Sequence, residues 1–136
     1  MATMQNTLPV PTESQEQINL FRMMAYYENT YPELKFLYHV PNGGYRNKAT
    51  AGKLKAEGVK SGVPDLCLPA PRYPYHGLYV EMKRTKGGQV SKDQREWLNF
   101  LESQNYKIAV AKGCDEAFNI IMDYIKLPLW PKIELS

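Results

Sequence analysis

The stretch LYVEMKR, Leu78 to Arg84, decides the fold. Its residues alternate as in a half-buried β-strand, with Val80 and Met82 on one face and Glu81 and Lys83 on the other. Upstream, Val63 to Leu68 is a short apolar run broken by one acid, Asp65. Between them PAPRYPYHG, Pro69 to Gly77, holds three prolines and a glycine, so it is a loop or a broken hairpin tip. The two runs therefore predict an antiparallel hairpin of Pro64–Leu68 with the LYVEMKR strand. Asp65 and Glu81 share a side of the sheet if the register pairs them.

Outward from this hairpin the chain divides cleanly. A first helix begins near Thr12 or Ser14, each followed three residues later by a glutamine at capping-box spacing. Ile18, Phe21 and Ala25 form its apolar face, widened by Leu20, Met24 and Tyr27. Leu34 to Val40 reads as a strand, and Pro41 to Gly44 as a turn. A basic helix covers Lys48 to Glu57, with Gly58 just past its end. After the hairpin, Ser91 and Gln94 stand at capping-box spacing before a helix with Trp97, Leu98 and Leu101 on its apolar face. Lys107 to Lys112 is an alternating strand, and a last helix from Cys114 buries Ala117, Ile120, Ile121 and Tyr124. The order α-β-α-β-β-α-β-α predicts an α/β domain, a small mixed β-sheet flanked by helices. Residues 1–11 are expected to be loose, 12–126 to form the domain, and 127–136 to pack as a tail on the body or on a partner.

Composition bounds the function. A chain of 136 residues with 43% hydrophobic and 23% charged residues suits one globular domain. No apolar run spans a bilayer, and the first residues lack the layout of a signal peptide. Cys67 and Cys114 make neither a disulfide framework nor a zinc spacing, so an intracellular, cytoplasmic setting is expected. The net charge of +3 is mild, but the basic residues are clustered. One cluster is Arg46, Lys48, Lys53, Lys55 and Lys60; the other is Lys83, Arg84, Lys86, Lys92 and Arg95. Either run alone is an ordinary solvated surface, but both flank the hairpin.

Two carboxylates a few ångströms apart repel each other, and a divalent cation relieves that repulsion. Oxygen ligands suit Mg²⁺ or Mn²⁺, which keep several waters and take one or two protein carboxylates. A lysine on the same face can orient a water or stabilise charge developing on a phosphate. Asp65, Glu81 and Lys83 are thus a plausible device for phosphodiester hydrolysis, although an acid-x-Lys triplet also occurs by chance in many strands.

In context the hairpin resembles the PD-(D/E)xK nuclease superfamily, through Pro64-Asp65 and Glu81-Met82-Lys83. The resemblance narrows to the VRR-NUC family, the virus-type replication-repair nucleases. Its carriers are Asn42-Gly43-Gly44-Tyr45-Arg46, Leu54-Lys55-Ala56-Glu57-Gly58, Gly62-Val63-Pro64-Asp65-Leu66, Tyr79-Val80-Glu81-Met82-Lys83 and Ser91-Lys92-Asp93-Gln94-Arg95-Glu96-Trp97-Leu98. The likeness runs from about Glu16 to Ile125, and the Pro69–Gly77 loop departs from it. It implies a restriction-endonuclease-like core and a Mg²⁺-dependent endonuclease, with Mn²⁺ able to substitute and no organic cofactor. Asp65 and Glu81, with the Met82 carbonyl, would hold the metal, and Lys83 would position water or neutralise the phosphate. Glu16 matches the acid that completes the site in relatives, unless it is a solvent-facing helix residue. Gln94 is a site residue, a helix cap, or both.

His39 and Asn42 lie beside the glycine turn, where Gly43 and Gly44 permit close backbone approach to a phosphate. For His39 a structural or substrate-contacting role fits better than catalysis, and nothing recommends His76 as a ligand. Arg46, Lys48, Lys53, Lys55 and Arg84 then resemble phosphate contacts, which position DNA without reading its sequence. The expected partner is branched or duplex DNA, and no membrane. Stand-alone members of the family resemble viral and bacterial resolvases of four-way junctions. That implies a homodimer, a viral, prophage or bacterial origin, and Leu127–Ile133 with Arg72–Tyr75 as interface pieces. A flap-cutting or nicking nuclease of the same chemistry, and a DNA-binding module with an inactive site, are the alternatives.

Overall fold

The computed structural model describes residues 9–41 and 47–132. Three of the four described α-helices pack against one four-stranded sheet. Helix α1 spans Glu13–Ala25, a 3-10 helix Pro32–Phe36, strand β1 Tyr38–His39 and helix α2 Lys48–Ala56. The hairpin strands are β2, Leu66–Leu68, and β3, Leu78–Lys83. Helix α3, Lys92–Ser103, crosses to β4, Lys107–Lys112, and α4, Cys114–Ile125, follows. The sheet order is β1-β2-β3-β4. The first two pairings are antiparallel and β3 runs parallel to β4, the crossover that a βαβ unit requires.

The α/β class, the element order and the mixed sheet agree with the expectation from sequence. Capping boxes form at Thr12 with Gln15 and at Ser91 with Gln94. Two expectations are corrected. Leu34 to Val40 is not a continuous strand: Pro32 starts a 3-10 turn through Phe36, and only Tyr38 and His39 pair with β2. Proline presets the turn, and the turn buries Leu34 and Leu37 against the core.

Helix α1 is also rotated from its predicted orientation. Glu16, Leu20 and Met24 are its buried stripe, at i, i+4 and i+8. Ile18 is 49% exposed, Ala25 is exposed and Phe21 is half-buried. The helix carries two apolar stripes, and packing against α4 chose the one that includes an acid.

Alternation along β3 divides the molecule into two sides. Leu78, Val80 and Met82 join Leu20, Met24, Leu66, Leu68, Ala117 and Ile121 in one core beneath α1 and α4. Glu81 and Lys83 point the opposite way, toward α3. They do not form a wet face: Glu81 is 1% and Lys83 6% exposed. A β3 flanked by strands and covered on both faces is buried along its length, with only Tyr79 partly exposed.

The Pro69–Gly77 loop is built around buried Arg72. Its Nε donates to Ile125 O at 3.0 Å, its Nη1 to Pro71 O at 2.8 Å, and its Nη2 pairs with Glu33 at 3.2 Å. The tail closes over this loop. Tyr73 N donates to Pro128 O at 2.7 Å, Trp130 Nε1 donates to Tyr75 O at 2.9 Å, and the Trp130 ring stacks on His76. The two segments expected at a dimer interface thus contact each other within one chain, and Ile133 lies outside the described residues. No described helix is long and apolar enough to cross a membrane.

Candidate active site

The β2–β3 register pairs Leu66 with Val80, and one step further along it sets Asp65 opposite Glu81 on the same face. Asp65 lies just before β2, where its side chain takes over from the ladder. Its Oδ2 accepts from Met82 N at 2.7 Å, and its backbone carbonyl accepts from Val40 N at 2.7 Å. Gly62 sets the approach to this corner. It has φ +89°, and a Cβ there would lie 2.5 Å from the Asp93 backbone at the start of α3. A side chain at this position would push the Pro64–Asp65 corner away from α3.

Opposite the corner, Glu81, Lys83 and Gln94 form a closed polar triangle. Gln94 Nε2 donates to Glu81 Oε1 at 2.8 Å, Lys83 Nζ donates to Gln94 Oε1 at 3.0 Å, and Lys83 Nζ lies 3.5 Å from Glu81 Oε1. The same Gln94 Oε1 accepts from Ser91 N at 2.9 Å. Gln94 is therefore both helix cap and site residue, because the first turn of α3 lies directly on the strand that carries Glu81.

The triangle leaves one atom unserved. Glu81 Oε2 is fully buried without a hydrogen-bond partner. Burial, then the charge of Asp65 and a hydrogen bond to its carboxylate that only a protonated Glu81 can donate, push the Glu81 carboxyl up to about 8, against the opposing pull of Lys83. Near neutral pH Glu81 holds a proton that relieves its repulsion from Asp65. A divalent cation relieves the same repulsion by the same electrostatics, so the donor set fits one. Asp65 and Glu81 would hold it, with the Met82 carbonyl as a third oxygen. When bound, such an ion acts as a Lewis acid on a phosphoryl oxygen and lowers the pKa of bound water. Lys83, fixed by Gln94, places a positive charge beside that position.

Glu16 is not part of this assembly. Its Oε2 accepts from Cys114 N at 2.6 Å, at the start of α4. The N-cap of α4 is Gly113, with φ +87° and no side chain to cap the helix, so Glu16 supplies the cap from a different helix. Gly113 N also donates to Lys83 O at 3.0 Å, which ties this corner to the end of β3. Among the described residues no group of three or more His, Cys, Asp or Glu side chains could hold a metal ion. Two carboxylates with a backbone oxygen and waters remain within the ordinary Mg²⁺ pattern.

The candidate substrate contacts are spread around an open cleft of about 530 Å³ that Asp65, Met82, His39, Arg84 and the first turn of α1 line. His39 Nδ1 lies 2.9 Å from the Asp65 carbonyl oxygen. A carbonyl only accepts, so Nδ1 is the protonated nitrogen and Nε2 is left for a ligand. Arg84 is exposed, with Nη2 3.5 Å from Val10 O. Lys48, Lys53 and Lys55 lie on α2, which has no buried residue and packs on no other helix or strand among the described residues. Asn42, Gly43, Gly44 and Arg46 lie outside the described residues. Sequence reasoning missed Arg72 as a buried anchor and Glu16 as a cap, since both depend on partners more than thirty positions away in the chain.

A mixed sheet whose hairpin sets Pro-Asp at the entry to one strand against Glu-x-Lys on the next defines a nuclease domain of the PD-(D/E)xK type. Within that class the chain belongs to the VRR-NUC family: the sequence model of the VRR-NUC domain matches residues 13–115, well over half of the chain. A solved structure described as a VRR_NUC domain protein is similar, with a TM-score of 0.76 and 30% sequence identity. The likeness covers 91% of this chain and 96% of that one. No curated protein matches the sequence.

Proposed function

We propose that this VRR-NUC domain is a Mg²⁺-dependent endonuclease that cuts branched DNA, acting as a homodimer on four-way junctions. The observation that carries the metal-dependent reading is the unserved Glu81 oxygen facing a second carboxylate, with Lys83 held beside it by Gln94. Two carboxylates set face to face, one of them buried, are destabilising unless a cation or a proton joins them. Asp65 and Glu81 anchor the cation, with Mn²⁺ as an effective substitute. Lys83 orients water or stabilises the charge that grows on the phosphate as the bond to the leaving oxygen breaks. His39 and Arg84 guide the strand into the cleft, and the lysines of α2 hold the backbone further out, in a salt-dependent and sequence-independent way.

Junction cutting rests on an argument from symmetry. A two-fold substrate with two strands to cut suits a two-fold pair of small domains with one site each. The test is digestion of a synthetic four-way junction, a flapped duplex and a linear duplex, with and without Mg²⁺. Paired symmetric nicks in the junction are expected, only with metal. Preferential cutting of the flap would replace junction resolution with flap removal and keep the chemistry. No cutting of any substrate would leave a DNA-binding module.

A further inference from the structure

The second apolar stripe of α1 faces an open groove of about 600 Å³ formed by Gln17, Ile18, Phe21, Arg22, Ala25 and His39. Gln17 and His39 also line the cleft that holds Asp65 and Met82, so groove and cleft are continuous. We propose that this groove receives one nucleobase that a DNA branch point leaves unstacked, next to the phosphate being cut. The inference rests on the nuclease reading above and names the feature of branched DNA that the site selects.

The groove has the composition such a role needs. Phe21 is half-buried and packs on the core, so its ring is held in place while part of it faces the groove. Ile18, 49% exposed, and exposed Ala25 extend the apolar floor beside it. The rim is polar: the Gln17 amide and the free Nε2 of His39 can meet a base edge, and the Arg22 guanidinium can meet the next phosphate. An aromatic platform with cations beside it is the ordinary device for holding an unpaired nucleotide, since every base has a stacking face.

Continuity with the cleft favours a nucleotide over a second copy of the chain. A strand whose phosphate sits at Asp65 leaves the cleft past Gln17 and His39, and the groove is the next surface it meets. A linear duplex has no base to offer, because each is paired and stacked and extrusion is costly. At the exchange point of a branch, the flanking nucleotide has lost a stacking neighbour and costs less to turn out.

Two variants test this with the full chain. Phe21→Ala removes the platform. Ala25→Glu adds a negative charge at an exposed position that the core does not use. The readout is the ratio of cutting rates on a four-way junction and a linear duplex of the same sequence, in Mg²⁺. Loss of one base stack predicts a fall of about tenfold in that ratio for each variant, with Phe21→Trp keeping it. A second arm uses 2-aminopurine at the branch nucleotide in EDTA, where emission rises as the base leaves its stack. The wild type should raise it, and Phe21→Ala and Ala25→Glu should not.

An unchanged ratio together with an unchanged emission response in both variants overturns the proposal. So does an equal loss on all substrates accompanied by a change in sedimentation, which would make the groove a surface between copies of the chain. The emission arm needs no cutting. A base-dependent signal from a wild type that cuts nothing would remove the nuclease reading alone. A junction-cutting wild type whose preference survives in both variants would remove the groove alone.

Discussion

Arg72 and Glu81 are both ionisable and both enclosed by the fold, but they are opposite in how well they are served. Arg72 gives its protons to Ile125 O, Pro71 O and the Glu33 carboxylate. Glu81 has an oxygen with no partner, faces Asp65 and is held protonated up to about pH 8. A buried charge with all three of its nitrogens partnered is a piece of architecture. A buried carboxyl with one oxygen facing no donor, set against a second carboxylate, is poised for something that joins it later. The two lie at opposite ends of the same hairpin, so one end of β3 is fastened and the other is left poised.

The sharpest way to break this contrast is to remove each group and compare cutting with stability. Glu81→Ala and Lys83→Ala should each lower Mg²⁺-dependent cutting of DNA by at least about a hundredfold, read as initial rates on a labelled junction. Either variant cutting at the parental rate would remove the poised end of the comparison. Arg72→Ala should instead lower the free energy of unfolding by about 3 kcal/mol in urea titration, since it strands two carbonyls and a carboxylate. Its rate per folded molecule should stay near that of the parent.

Stability in the absence of metal should separate the two groups by pH. An unfolded Glu81 loses its proton near 4.5, and the folded one keeps it to about 8. Below 4.5 both forms are protonated and no penalty exists. As pH rises from there to about 8 the unfolded chain ionises first, so Glu81 progressively destabilises the fold. Thermal melts in EDTA should show this decline, and Glu81→Gln should flatten it and melt higher above pH 8. Added Mg²⁺ should restore stability at high pH, because metal binding requires the ionised carboxylate. A decline that survives in Glu81→Gln would assign it to another group.

Gln94→Ala should have a smaller effect on both sides of the contrast. It loosens Lys83 and Glu81 and removes half of the capping box. A loss of about 1 kcal/mol in stability is expected from the cap, together with reduced cutting. Lys53→Ala on solvated α2 should do least, reducing the slope of log binding affinity against log salt by about 1 without changing the melt.

Much of this was legible in the sequence because it depends on local patterns. Capping boxes at Thr12 and Ser91 work over three residues. The hairpin follows from two apolar runs around a proline-rich loop, while the register that pairs Asp65 with Glu81 came from the folded sheet. Other features were not legible, and each involves a choice between equivalent local options. Helix α1 carries two apolar stripes, and only contact with α4 turns Glu16, Leu20 and Met24 inward. Glu16 then becomes the cap that Gly113 cannot provide, accepting from Cys114 N ninety-eight positions along the chain.

The amino-acid sequence by itself determined that β3 would carry Glu81 and Lys83 on one face and core residues on the other, because side-chain direction alternates along any strand. Only the tertiary structure decided that this face is sealed. The first turn of α3 lies over it and brings Gln94 between the acid and the lysine. That burial raises the proton affinity of Glu81 by withdrawing water from its charge. It depends on which helix covers which side of a sheet, a property of the assembled layers that local pattern does not encode.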